Sequence, residues 1–307
     1  MHPKKIIFIV GPTGVGKTAV SLVLAKRLKT EIVSCDSMQV YKDINIASNK
    51  PFTKILQEIP HHLINAVSIT KEFDVVLFRK KAVETIHKIH KKNKIPLIVG
   101  GSGLYMQVLL DGIFKGPKKN ERLRQELEKE AQVKGNQVLY QRLQEIDPRA
   151  AAKIHPHDRR RIIRALEVSL TASEPISELQ KNRRGLWGKF DIKIFALNRD
   201  RRELYESIDK RVEWMFQDGL VGEIQGLLPK KWSRTAEGLL GIKEVKGYLR
   251  GEYDLEKAKY LMKLNTRHYA KRQLTWFRKD KRIRWMMIDK DQTTAEIVSG
   301  ILEEIKN

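Results

Sequence analysis

The chain has 307 residues, 60 of them lysine or arginine against 37 aspartate or glutamate, giving a formal net charge of +23. With 41% apolar and 32% charged residues it is neither fibrous nor disordered, and no apolar run approaches the roughly 20 residues that span a bilayer. The single cysteine, Cys35, excludes an internal disulfide framework and a cysteine-based zinc site and implies a reducing, cytosolic setting; the charge implies a polyanionic partner, nucleic acid ahead of an anionic membrane surface.

Met1–Lys5 leads directly into an apolar run, Ile6–Val10, with no small-residue cleavage site behind it, so Lys4–Val10 reads as a buried strand and not as a signal peptide. A glycine-rich turn follows, then helical spacing over Ala19–Leu28 and a short strand at Glu31–Ser34. Phe78–His90 carries Val83, Ile86 and Ile89 at helical spacing, and Ile95–Val99 is another buried strand, ending at Gly100-Gly101. Strand–loop–helix units of this kind predict an α/β fold with a parallel sheet and its sites at the strand C-terminal ends. Beyond Lys115-Gly116-Pro117 the pattern becomes helical and heavily charged from Glu121 to about Thr171. After a turn-rich patch at Gly185–Lys189 a strand returns at Ile192–Leu197. Residues 116–190 therefore read as a helical insertion in a core made of residues 1–115 and 191–307. From Arg201 on the chain reads as mostly helical, most clearly at Glu223–Leu228 and Leu255–Trp276.

Gly11-Pro12-Thr13-Gly14-Val15-Gly16-Lys17-Thr18 fits the phosphate-loop pattern G-x-x-x-x-G-K-[ST] in the required context, after a strand and opening a helix. Its glycines let successive N–H groups form an anion nest, and the helix N-terminus adds its dipole. Lys17 places a cation on a terminal phosphate, and the Thr18 hydroxyl can ligate Mg²⁺. The loop specifies a di- or triphosphate but not hydrolysis: there is no Asn-Lys-x-Asp guanine-reading element, and strand Ile95–Val99 ends in glycines where a second metal-anchoring aspartate could stand. At the end of the second strand, Asp36 is a carboxylate suited to accept a proton from an incoming nucleophile, and the amide of Gln39 can address an adenine edge. Ser102, in Gly100–Tyr105, is read both as a helix N-cap and as a substrate-facing hydroxyl.

Taken in order, the phosphate loop, Asp36–Tyr41, Gly100–Tyr105 and Thr266–Arg278 resemble the bacterial tRNA dimethylallyltransferase family over essentially the whole chain. The resemblance implies a P-loop NTPase-like core with a helical insertion. It also implies Mg²⁺-dependent transfer of a dimethylallyl group from its diphosphate to N6 of the adenosine just 3′ of the anticodon (tRNA position 37). Residue by residue, it implies that Gly11, Pro12, Thr13, Gly14, Val15, Gly16, Lys17 and Thr18, with Arg211, hold the diphosphate. Asp36 becomes the base, with Lys17 and Thr18 sharing the catalytic work and Thr18 helping to place the metal. The tRNA anticodon stem-loop is met by Asp36, Ser37, Met38, Gln39, Ser102, Arg124, Arg160, Arg161, Ile162, Ile163, Arg164 and Arg272. Arg160 and Ser102 depart from the residues usual in the family, and Glu237–Glu244 matches it only loosely and receives no role.

Arg267–Arg284 holds eight basic side chains against one acid, Asp280, a focused stretch that suits an RNA backbone. The competing reading is a charged solvent face, and Trp276 is read as core before stacking platform. Two rival functions remain at this stage: a kinase or isopentenyltransferase of a free adenine nucleotide, and a non-catalytic nucleic-acid-binding P-loop protein. The insertion and the charge favour a macromolecular substrate, and Asp36 beside the phosphate loop favours catalysis. A cytoplasmic monomer is expected.

Overall fold

The computed structural model describes residues 3–306, so the first two residues of the N-terminal reading lie outside it. Among the described residues six strands form one wholly parallel sheet: β1 (Lys5–Val10), β2 (Ile32–Ser34), β3 (His61–His62), β4 (Leu97–Gly100), β5 (Asp191–Arg199) and β6 (Arg284–Ile288), in spatial order β3-β2-β4-β1-β5-β6. β1 is central, with Ile7 opposite Leu97 on one side and Ile9 opposite Phe195 on the other. Ile6, Ile7, Phe8 and Ile9 are fully buried, which explains their unbroken apolar run: a parallel strand covered on both faces has no polar side to alternate with.

β4 lies between β1 and β2, so the Asp36 loop reaches the phosphate loop across one intervening strand. One detail differs from the mostly helical reading of the chain after Arg201: β6 is a strand there. It is an edge strand paired to β5 through Ala196 opposite Trp285, and its exposed Arg284 and Met287 break the apolar run that identifies a buried strand.

Helices α1 (Lys17–Arg27), α2 (Val75–Lys91) and α3 (Gly103–Leu110) complete the first half of the sheet unit. Asp74 caps α2 by accepting the N–H groups of Val76 and Leu77, a contribution of about 1 kcal/mol. Leu110–Leu186 form a separate compact unit containing α4 (Glu121–Lys134), α5 (Asn136–Ile146) and α6 (Arg159–Ala172) around its own core of Leu127, Leu139, Leu143, Ile162 and Leu166. The chain rejoins the sheet unit at Trp187. There α7 (Arg201–Gln217), α8 (Leu220–Leu227), α9 (Leu255–Phe277) and α10 (Thr294–Lys306) follow, the last packing Ile297, Val298 and Ile301 into the core that contains Val20 and Leu24 of α1.

Candidate active site

The phosphate loop connects β1 to α1. Gly16 is the N-cap of α1 at φ 102°, a left-handed conformation open to glycine, and no side chain caps the helix there, so its first N–H groups stay available to an anion. Lys17 turns its ammonium back onto the loop, donating to the carbonyls of Gly11 (3.0 Å) and Pro12 (2.7 Å). The loop is braced from three directions. Ser207 of α7 donates to the Gly14 carbonyl at 2.8 Å, and Arg199 at the end of β5 donates to that of Val15 at 3.1 Å. From α9, the buried Gln273 accepts the Thr13 N–H at 2.8 Å and donates to the Gly101 carbonyl at 2.8 Å. A Cβ at Gly101 would lie 2.2 Å from Nε2 of Gln273, so only glycine leaves room for this bridge.

A cavity of about 340 Å³ opens over the loop. Its lining brings together Thr13, Gly14, Gly16, Lys17 and Thr18 with Asp36, Met38, Gln39 and Arg211, residues placed by β1, β2 and α7. Burial lowers the Lys17 ammonium to about 8, against a raising pull from Asp36 and a further lowering by Arg211. Burial likewise lowers Arg211, opposed by Asp36, and among the described residues its Nε has no hydrogen-bond partner. Two enclosed cations facing one carboxylate leave the cavity electropositive, the condition a diphosphate relieves. Asp36 is fixed by an Asx turn, its Oδ1 accepting the Met38 N–H at 2.8 Å. Gln39 accepts from the Ser34 hydroxyl (3.1 Å) and donates to the Asn49 carbonyl (3.4 Å), so its amide orientation is set by the protein. Met215, Leu240, Met262 and Tyr269 line the same cavity and give it an apolar wall.

The other expected site residues fall elsewhere. Pro12 and Val15 are buried within the loop, and Gly11 contributes a carbonyl to Lys17. Ser37 is half-buried and outside the cavity lining. Ser102 is the N-cap of α3, its Oγ accepting the Tyr105 N–H at 3.4 Å while its own N–H donates to the Cys35 carbonyl beside Asp36. In the helical unit, Ile162 and Ile163 are core residues at 0% and 4% exposure, and their side chains hold α6 in place. Arg124 and Arg164 are also committed internally, both to the fully buried Glu167 at 2.8 and 2.6 Å. Burial pushes the Glu167 carboxyl up, but hydrogen bonds from Arg124, Arg164 and the Asn120 N–H outweigh it and hold the group below its usual range. Arg161 pairs with Asp158 at 3.4 Å, whereas Arg160 is exposed and, among the described residues, has no carboxylate within ion-pair distance.

The basic Arg267–Arg284 stretch divides in the same way. Arg267 pairs with Asp209, Arg282 with Asp280 and Arg284 with Glu304, acids that lie partly outside the segment. Lys271, Arg272, Arg278, Lys279 and Lys281 remain exposed, and Arg272 lies over the ring of the cavity residue Tyr269 at 5.8 Å. Trp276 is half-buried against Gly103. The sequence reading missed Gln273, Ser207 and the apolar wall. Gln273 stood inside a quoted motif, but nothing in its spacing revealed a partner 260 residues away.

An all-parallel sheet with a phosphate loop after its central strand, and a carboxylate, an arginine and an apolar wall around one cavity, defines a P-loop NTPase-like enzyme of group transfer. The profile of the IPP transferase family matches residues 39–280. A tRNA dimethylallyltransferase of Alkaliphilus metalliredigens is 43% identical, covering 99% of this chain and 97% of that protein; another from Halothermothrix orenii is 44% identical, covering 91% and 86%. Among solved structures, the tRNA isopentenylpyrophosphate transferase of Bacillus halodurans is 37% identical at a TM-score of 0.71, covering 99% of this chain and 97% of that one. A eukaryotic dimethylallyltransferase acting on tRNA is 31% identical at a TM-score of 0.84, covering 99% and 79%. The chain belongs to the tRNA dimethylallyltransferase family.

Proposed function

We propose that the chain transfers the dimethylallyl group of dimethylallyl diphosphate to N6 of adenosine 37 of tRNA and releases diphosphate. The observation that carries this reading is the shared cavity of Lys17, Arg211 and Asp36: an anion site and a proton acceptor lie side by side, with an apolar wall at hand for a hydrocarbon chain. As the N6–carbon bond forms and the carbon–oxygen bond to the diphosphate breaks, the N6 proton passes to Asp36. An exocyclic amine is a weak nucleophile, so removing its proton during attack is worth about 10²–10⁴-fold. The loop N–H groups, Lys17 and Arg211 meet the charge that develops on the leaving diphosphate.

Mg²⁺ suits the donor set. Thr18 offers a hydroxyl, a hard oxygen donor on the cavity wall, and Mg²⁺ takes its remaining ligands from substrate phosphates and water in sites of this type. When bound it would neutralise diphosphate charge. The helical unit and the exposed α9 cations supply phosphate contacts for the anticodon stem-loop, whose target base leaves its stack at lower cost than in a duplex. No helix among the described residues is long and apolar enough to cross a membrane, and the reading places a monomer with its tRNA in the cytoplasm.

Incubation with dimethylallyl diphosphate, Mg²⁺ and unmodified tRNA, followed by nucleoside mass spectrometry, tests the reading. It predicts an N6-dimethylallyl adenosine confined to position 37; equal transfer to free AMP would overturn the choice of tRNA as acceptor.

A further inference from the structure

Part of the cavity wall, Ala47, Ser48 and Asn49, belongs to a turn of residues 45–50 that is held by a residue of another element. Asn45 to Lys50 form one compact turn, closed by the Asn49 N–H to the Ile46 carbonyl (2.9 Å) and the Lys50 N–H to the Asn45 carbonyl (3.2 Å). Its three leading N–H groups all point at one carboxylate. Asn45 and Ile46 donate to Oε2 of Glu223 at 2.6 and 2.8 Å, and Ala47 donates to Oε1 at 3.0 Å. Glu223 sits in the first turn of α8, a helix packed in the same unit as the sheet. Three N–H groups converging on an anion form a nest, and each charge-assisted bond is stronger than a neutral one.

The far end of the turn meets the site. Ala47, Ser48 and Asn49 line the cavity, and the Asn49 carbonyl accepts from the Gln39 amide, whose own oxygen accepts from Ser34. Glu223 itself lines no part of the cavity. We infer that Glu223 is a positioning residue for the acceptor side of the reaction: through residues 45–49 it fixes the Gln39 amide and the Ala47–Asn49 wall of the cavity that Asp36 also lines, while the phosphate loop, braced independently by Gln273, Ser207 and Arg199, does not depend on it.

This inference rests on the proposed transfer to an adenine base, and the test separates the two. The wild-type full-length protein, Glu223→Ala, Glu223→Gln and Glu223→Asp are assayed with tRNA and dimethylallyl diphosphate, with melting temperature measured alongside. Glu223→Ala is expected to lower kcat/KM for tRNA by about tenfold or more, the value of one to two charge-assisted bonds, and to leave KM for the diphosphate within about twofold. Glu223→Gln, which keeps an acceptor oxygen but turns an NH₂ toward an N–H, falls between Ala and wild type, and Glu223→Asp recovers more than Gln. A parallel rise in both KM values that follows the loss of melting temperature, or an unchanged kcat/KM for tRNA, overturns the positioning role. A wild-type protein that modifies no tRNA overturns the functional reading itself.

Discussion

Thr13 and Gln273 are 260 residues apart in sequence, yet the Thr13 N–H donates to the Gln273 carboxamide oxygen at 2.8 Å, and the same amide donates to Gly101. One buried side chain of α9 thus joins the phosphate loop to the end of β4. The Thr13 N–H is satisfied by the protein, which leaves anion binding to the N–H groups further along the loop and to Lys17.

Removing that link predicts both a stability and a binding effect. Gln273→Ala leaves the half-buried Thr13 N–H and the buried Gly101 carbonyl without their partner, at about 1–3 kcal/mol. Thermal denaturation should show a fall of roughly 2–8 °C, and titration calorimetry a weaker affinity for dimethylallyl diphosphate. An unchanged affinity would mean that the loop keeps its shape without the α9 brace.

Lys17 predicts a proton taken up on binding. Its ammonium titrates at about 8 in the free cavity, below the usual lysine value, because burial disfavours the charge. A bound diphosphate restores the charged form. At pH 6.5 the lysine is protonated in both states, whereas near pH 8.5 the free form is mostly deprotonated and the bound form keeps its proton. Calorimetry in buffers of different ionisation enthalpy should therefore detect uptake of up to one proton at pH 8.5, and Lys17→Met should abolish it. The same sign makes donor affinity fall as pH rises through about 8.

Glu167 predicts acid sensitivity of the helical unit. Its carboxyl is held below the ordinary range, so the stabilisation is present above the unfolded-state value and is lost as pH falls through the native one. Glu167→Gln should cost about 3 kcal/mol, the low end for breaking a buried ion pair since Arg164 stays partly solvated. Hydrogen exchange over α4 and α6 is the measurement, with the mutant at pH 7 resembling the wild type in acid.

The arginines of α6 divide by what they already touch. Arg160→Ala should weaken tRNA binding and reduce the slope of log affinity against log salt by about one. Arg164→Ala should act mainly on stability through Glu167. Filter binding across a salt series, paired with melting curves, distinguishes the two.

What the sequence made legible was whatever local chemistry determines. The phosphate loop, the buried strands β1, β4 and β5, and the helical texture of the insertion are each set by residues near one another. Asp36 could be placed because strand ends of a parallel sheet converge on one edge. β6 was missed because an edge strand needs only half an apolar face. The packing of Arg124, Arg164, Ile162 and Ile163 was not legible because a motif does not reveal which face of a helix is buried: the core of the helical unit takes the isoleucines, and Glu167, three residues after Arg164, pairs with the arginines. Gln273 and Glu223 act through contacts between distant parts of the chain, which no spacing along the sequence encodes.

The central claim is that Asp36 accepts the proton of the attacking amine beside an anchored diphosphate. Asp36→Asn keeps the side-chain shape and the oxygen that receives the Met38 N–H, and removes the basic oxygen pair. Single-turnover transfer with saturating tRNA and dimethylallyl diphosphate is the direct measurement. The account predicts a rate lowered by about 10²–10⁴-fold with tRNA Kd changed by less than about threefold. A rate within about tenfold of wild type, or a loss of rate matched by an equal loss of tRNA binding, would contradict it.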